Sequence, residues 1–223
     1  MKKLYVSNKD ESVRMFDSNL LEFFTKVHYT VPLILYIPVI SYFLYLSFLH
    51  PELTLLSGLG YFALGIISWS ITEYVLHRYV FHFHPTSEWG KKIHFLFHGV
   101  HHDYPNDSNR LVMPPGVSVP LAFLFYYGFE TFMPIHFLYP FFAGFVLGYL
   151  FYDMLHYALH HVDLKGKMWV ALKTHHLKHH FKDPDKGFGV SSPVWDIVVG
   201  SNFGSKLKEK KGANKKSVES KTA

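Results

Sequence analysis

The sequence predicts an all-α integral membrane protein, with about four transmembrane helices in two hairpins under a cytoplasmic, histidine-rich helical cap. Three observations point there. Uncharged apolar stretches of membrane-spanning length recur along the chain. Lys and Arg fall into three blocks separated by long gaps. Fourteen of the 17 histidines lie in the two polar segments that such hairpins would bring to one membrane face.

The elements follow in order. A polar arm, residues 1–30, is too hydrophilic to be a signal-peptide core, so the first membrane helix directs insertion. Val31–Leu49 and Leu53–Thr72 carry no formal charge and form the first hairpin. Val117–Phe129 runs on past Glu130 to Pro134 and is the weakest of the four stretches; His136–Tyr152 is again uncharged. All 22 basic residues lie up to Lys26, from Arg78 to Arg110, or from Lys165 onward, so the far-side turns near Pro51 and Pro134 have none. That distribution places both termini in the cytoplasm. The net charge of +5 thus reads as topology and contact with anionic lipid, and no nucleic-acid partner is expected. The membrane domain covers 31–204, and a basic, solvated tail covers 205–223. The absence of cysteine excludes disulfides, Fe–S clusters and thiolate-ligated haem from the chain.

The histidines recur at helical spacings. His98, His101 and His102 stand at i, i+3 and i+4, as do His176, His179 and His180, while His156 and His160 stand at i, i+4. Residues three and four apart share a helix face, so each set can aim its rings at one point. His77 and His82, five apart, would diverge by about 140° on a regular helix, so the second membrane helix is expected to end or bend between them. Ten histidines exceed one ion's needs, and two ions with about five nitrogen donors each fit the count. Imidazole suits iron, zinc and copper alike. His28, His50 and His136 stand apart as non-ligands, and His84, His94, His161 and His175 border the sets. Glu73, Asp103 and Asp153 are candidates to accept the second ring N–H of a metal-bound histidine. "GLGYFA" (58–63) mimics a dinucleotide-binding pattern but lies inside a membrane helix, where close helix packing is the expected reading.

The stretches "EYVLHRYVFH" (73–82), "HGVHHDYPNDSNRLVMPP" (98–115), "YDMLHYALHH" (152–161) and "HLKHHFKDPDKGFGVSSPVWD" (176–196) resemble the fatty acid hydroxylase/sterol desaturase superfamily, and most closely its fatty acid 2-hydroxylase branch. The resemblance spans most of the chain from residue 73 to about 200. It implies a dinuclear metal centre, with iron expected and zinc as the alternative. Its ligands would be His77, His82, His98, His101, His102, His156, His160, His176, His179 and His180. The implied reaction is O2-dependent hydroxylation of the acyl chain of a fatty acid or a sphingolipid/ceramide-like lipid, at C2. Arg110 and Tyr104 are the expected contacts to the substrate head group. Members of this branch often carry a cytochrome b5-type domain, for which this chain has no His-Pro-Gly-Gly haem motif. Electrons are therefore expected from a separate protein, such as a cytochrome b5-type carrier or a ferredoxin. The expected location is the inner membrane of a bacterium or the endoplasmic reticulum of a eukaryote. Two other readings use the same residues: a desaturase or hydroxylase of sterols or carotenoids, and a non-enzymatic metal-binding membrane protein. A transporter should place polar groups at mid-membrane, whereas these histidines gather at one face.

Overall fold

A computed structural model describes residues 4–204; the expected basic tail lies outside the described residues. The chain is helical, and no β-strand forms among the described residues. The elements are α1 (Asn19–Phe24), α2 (Thr30–Phe48), α3 (Leu55–Val75), α4 (Glu88–His94), α5 (Val100–Asp103), α6 (Pro115–Glu130), α7 (Ile135–His161), α8 (Lys167–Phe181) and α9 (Val194–Val199). π-Helical segments extend α3 over Leu76–Phe81 and join α4 to α5 over Phe95–Gly99.

Among the described residues, three helical runs are long and apolar enough to cross a membrane: Thr30–Phe48, Leu55–Phe81 and Ile135–His161. The weakest expected span, α6, has 16 residues, which is about 24 Å of rise against a hydrocarbon core of about 30 Å. Prolines set both limits: Pro114 and Pro115 begin α6, and Pro134 begins α7 beyond it. The two far-side turns meet, with His50 Nδ1 at 3.1 Å and His136 Nδ1 at 3.7 Å from Glu52 Oε1.

α7 is the hub. Two-thirds of its spanning window is buried, against 22% for α2 and 11% for the α3 run, because α2, α3 and α6 all pack on it. Small residues allow the closest approach, but they are not those of "GLGYFA". Gly58 meets only Leu53 and Gly60 faces open space, whereas a Cβ on Gly65 would lie 2.0 Å from the Phe141 carbonyl oxygen. Gly144 is the reciprocal contact, 2.0 Å from the Phe62 carbonyl oxygen. Tyr36, Trp69, Phe142, Phe145 and Tyr149 complete the core beside this seam.

The N-terminal arm is built into the cap rather than free in solvent. The Val6 and Ser7 amides donate to the Asp103 carbonyl, Ser12 Oγ donates to Asp107 Oδ1 at 2.7 Å, and the Val27 amide donates to the Asn109 carbonyl. Residues 6–27 therefore lie along the 103–110 loop, which directly follows the second set of histidines.

Candidate metal centre

The α3 run, with its π-helical end, is 27 residues and rises about 40 Å, roughly 10 Å beyond the hydrocarbon core. A run of that length outreaches the hydrocarbon, and the geometry changes in its last turns. The His82 amide donates to the His77 carbonyl at 3.1 Å, an i→i+5 bond that widens the turn. Residues five apart then stack about one turn above each other instead of diverging, and the His77 and His82 ring centroids come within 5.0 Å. The expected break between these two histidines is thus a π-helical segment. A second one, closed by the Val100 amide on Phe95, leads His98 into α5.

These distortions, with α7 and α8, collect ten histidines into two groups of five. One holds His77, His82, His98, His102 and His179; the other holds His101, His156, His160, His176 and His180. α8 and the 98–102 segment each contribute to both groups. In the first group, Nε2 of His82 lies 3.1 Å from His98, 3.1 Å from His102 and 3.0 Å from His179, and His77 lies 3.1 Å from His98. In the second, His101 and His156 approach to 3.0 Å, His160 and His176 to 2.9 Å, and His176 and His180 to 3.1 Å.

Such clusters suit a cation. Burial, reinforced by neighbouring rings, holds His98, His101, His102, His176, His179 and His180 well below the ordinary imidazole range, so these rings are neutral at neutral pH. A neutral imidazole carries one N–H and one lone pair. His179 Nδ1 donates to the Lys186 carbonyl at 2.8 Å and His77 Nδ1 to the Phe188 carbonyl at 2.5 Å, which leaves Nε2 as a bare acceptor in both. Converging lone pairs repel unless a positive ion lies between them. The spacing also suits one: with metal–nitrogen bonds of about 2.1 Å, donors at right angles sit about 3.0 Å apart and tetrahedral donors about 3.4 Å. The nearest nitrogen pairs, 2.9–3.2 Å apart, are of this size, and all the donors of each group lie within 4.8 Å of one another.

The partners of His77 and His179 are backbone carbonyls, not the carboxylates expected from the sequence, and Nδ1 of His160, His176 and His180 is buried with no hydrogen-bond partner. Glu73, one turn before His77, is committed elsewhere: its Oε1 accepts from the Val190 and Ser191 amides at 2.8 and 2.9 Å, and the Ser191 hydroxyl donates to Oε2. Asp153 accepts from the Met113 amide and the Tyr149 hydroxyl, both at 3.2 Å. Asp103 ties the arm through its carbonyl. Asp196, not foreseen as a site residue, is fully buried and accepts four hydrogen bonds: Phe188 N at 2.9 Å, Gly189 N at 2.8 Å, Ser201 Oγ at 2.6 Å and His175 Nε2 at 3.1 Å. Burial alone would raise its carboxyl, but these donors hold it below the usual range. Glu73 and Asp196 thus fix the 187–191 loop, which holds His77 through Phe188. Gly187 enters this loop at φ +73°, a left-handed conformation that favours glycine.

Of the bordering histidines, His175 serves Asp196, His84 is exposed beside Asp185, His161 stacks on Tyr157, and His94 packs on Phe83. None belongs to either group. Arg110 lines the neighbouring cavity. Its guanidinium is buried and committed to protein partners: Glu22 Oε1 at 2.5 Å, Asp107 Oδ2 at 3.4 Å, Thr25 Oγ1 at 3.3 Å and the Val13 carbonyl. Tyr104 ends α5 and does not line the neighbouring cavity.

That cavity, about 350 Å³, connects the histidines to apolar surface. His98 of the first group and His101 and His156 of the second form its polar end, beside Tyr152 and Asp153. Phe81, Leu96, Leu111, Val112 and Val117 extend it toward the membrane helices.

Residues 62–201 match the family model described as "Fatty acid hydroxylase". A dihydroceramide fatty acyl 2-hydroxylase of Arabidopsis thaliana is 40% identical over 192 residues, covering 86% of this chain and 80% of the relative. A ceramide very long chain fatty acid hydroxylase of Schizosaccharomyces pombe is 38% identical over 188 residues, covering 82% of this chain and 53% of the relative. The solved structure titled full-length scs7p, with only the hydroxylase domain visible, superposes with a TM-score of 0.79 at 38% identity, over 85% of this chain and 72% of that one. With two five-histidine groups that could each hold a metal ion, and with this similarity over most of its length, the chain belongs to the fatty acid hydroxylase family.

Proposed function

We propose that the protein hydroxylates C2 of the acyl chain of a fatty acid or ceramide-like lipid, using O2 and electrons from a separate carrier. The observation that carries this reading is an apolar cavity on which both histidine groups open. His77, His82, His98, His102 and His179 hold one ion; His101, His156, His160, His176 and His180 hold the other. Iron bound there would supply O2 activation and cleavage of an unactivated C–H bond. The protein's own contribution is position and dryness. Seven of the ten rings are buried, and the apolar wall excludes water from the hydrocarbon. C2 adjoins the carbonyl, so it lies at the depth of the lipid head group, where α3 and α7 leave the membrane. The relatives' activities on ceramide and fatty acyl substrates favour this reading over a sterol or carotenoid reaction.

The termini face the cytoplasm, in keeping with the distribution of basic residues. A cytochrome b5-type protein or a ferredoxin supplies the electrons. The test is mass spectrometry of lipids from cells expressing the chain with an electron donor, against cells expressing His179→Ala. Acyl chains with one added oxygen at C2 are expected only with the unaltered protein. Unchanged lipids, with the protein present and metal-loaded, would overturn the proposal.

A further inference from the structure

One wall of the cavity comes neither from the histidine-bearing segments nor from the membrane helices. Met15, Phe16, Leu21 and Phe24 of the N-terminal arm line it, on the side of Arg110 and Thr25. One buried ion pair sets the position of all four. Arg110 binds Glu22 at 2.5 Å, and Glu22 Oε2 in turn accepts the amides of Met15 at 2.9 Å and Phe16 at 3.2 Å. Leu21 and Phe24 flank Glu22 on α1, so the same carboxylate fixes them through the helix. Burial would raise the Glu22 carboxyl, but the two amides, then Arg110 and Lys26, keep it below its ordinary value, and the pair stays charged. α1 lies just ahead of α2, and its side chains Leu20 and Phe23 are 66% and 70% exposed. The arm is therefore continuous with the membrane-entering surface, where a lipid chain is available.

We propose that the arm is a specificity-determining wall of the acyl channel: Met15, Phe16, Leu21 and Phe24 set its width, and the Arg110–Glu22 pair positions them. This rests on the hydroxylase reading above. A lipid hydrocarbon chain is the matching occupant because all four side chains are apolar and the charges that position them, Arg110 and Glu22, neutralise each other.

The test is a competition between two ceramides that differ only in one cis double bond of the acyl chain. Their product ratio does not depend on how much folded enzyme is present. Phe16→Ala widens the channel and is expected to raise the kinked-to-straight product ratio by about tenfold, the discrimination that a small change in hydrophobic pocket size supports. Leu21→Trp, at a half-exposed position that tolerates substitution, is expected to lower it. Both variants should keep the unaltered protein's metal content. Product from the unaltered protein with ratios unchanged in both variants would overturn the wall assignment alone. No hydroxylated product from the metal-loaded unaltered protein would overturn the hydroxylase reading and this inference with it.

Discussion

Asp196→Asn is the substitution most revealing of how the loop supports the histidines. The carboxylate uses Oδ1 for Phe188 N and Ser201 Oγ, and Oδ2 for Gly189 N and His175 Nε2. A carboxamide is nearly isosteric but has one acceptor. Whichever way it turns, its NH2 faces a buried backbone amide that has lost its acceptor. The Ser201 hydroxyl can rotate to accept instead, but the amide cannot. Losing a charge-assisted bond and leaving one amide unpaired costs about 2–4 kcal/mol. For a chain of this size that lowers Tm by roughly 5–15 °C. The loop also carries the Phe188 carbonyl that holds His77, so affinity for an ion in that group should fall by about 10–100-fold. Thermal unfolding of the detergent-purified protein, followed by tryptophan fluorescence, measures the first effect. Metal analysis after a chelator challenge measures the second. Ser201→Ala removes one donor to Asp196 and the acceptor of the Tyr74 hydroxyl but leaves both amides paired, so it should cost about 1–3 kcal/mol while sparing the hold on His77. An Asp196→Asn protein with unaltered Tm and metal retention would refute the reasoning.

Other perturbations have equally definite outcomes. Gly65→Val puts side-chain atoms into the Phe141 backbone; it should cost about 3 kcal/mol or more and lower the yield of folded protein, whereas Gly60→Ala, in open space, should be neutral. Arg110→Met removes the buried partner of Glu22 and leaves the carboxylate only the Met15 and Phe16 amides and the more exposed Lys26, with an expected loss of about 3 kcal/mol read by the same unfolding assay. Because folded-state imidazole values lie far below the unfolded value near 6.5, the unfolded chain binds more protons in acid. Stability and metal retention are thus complete above that value, and each ring gives up to about 1.4 kcal/mol per pH unit as pH falls below it. A pH titration of metal content and unfolding temperature, flat down to pH ~5, would contradict this.

The sequence made local features legible and left long-range ones hidden. Uncharged runs located α2, α3 and α7, because a spanning helix must be apolar along its whole length. Spacings of three and four located the histidines of α5, α7 and α8, because one helix face is a local property. The mismatch of His77 and His82 announced an irregularity without saying that a π-helical segment would resolve it. Glu73 looked like a partner for His77 because only neighbours along the helix are visible in a sequence; its real partners, Val190 and Ser191, are more than a hundred residues away. Asp196 carried one readable signal, an acid inside the apolar run "PVWDIVVG". Nothing local reveals that Arg110 pairs with Glu22, 88 positions earlier. The packing glycines were misplaced for the same reason: Gly58 and Gly65 share a helix, and only α7 distinguishes them.

The central claim is that ten histidines form two separate metal sites, and counting ions per chain tests it most directly. The protein purified under metal-replete conditions should carry two ions. His82→Ala, in one group, and His156→Ala, in the other, should each retain about one, and the double variant none. A lipid-hydroxylating protein that holds a single ion, or two single variants that both keep the full complement, would contradict the account.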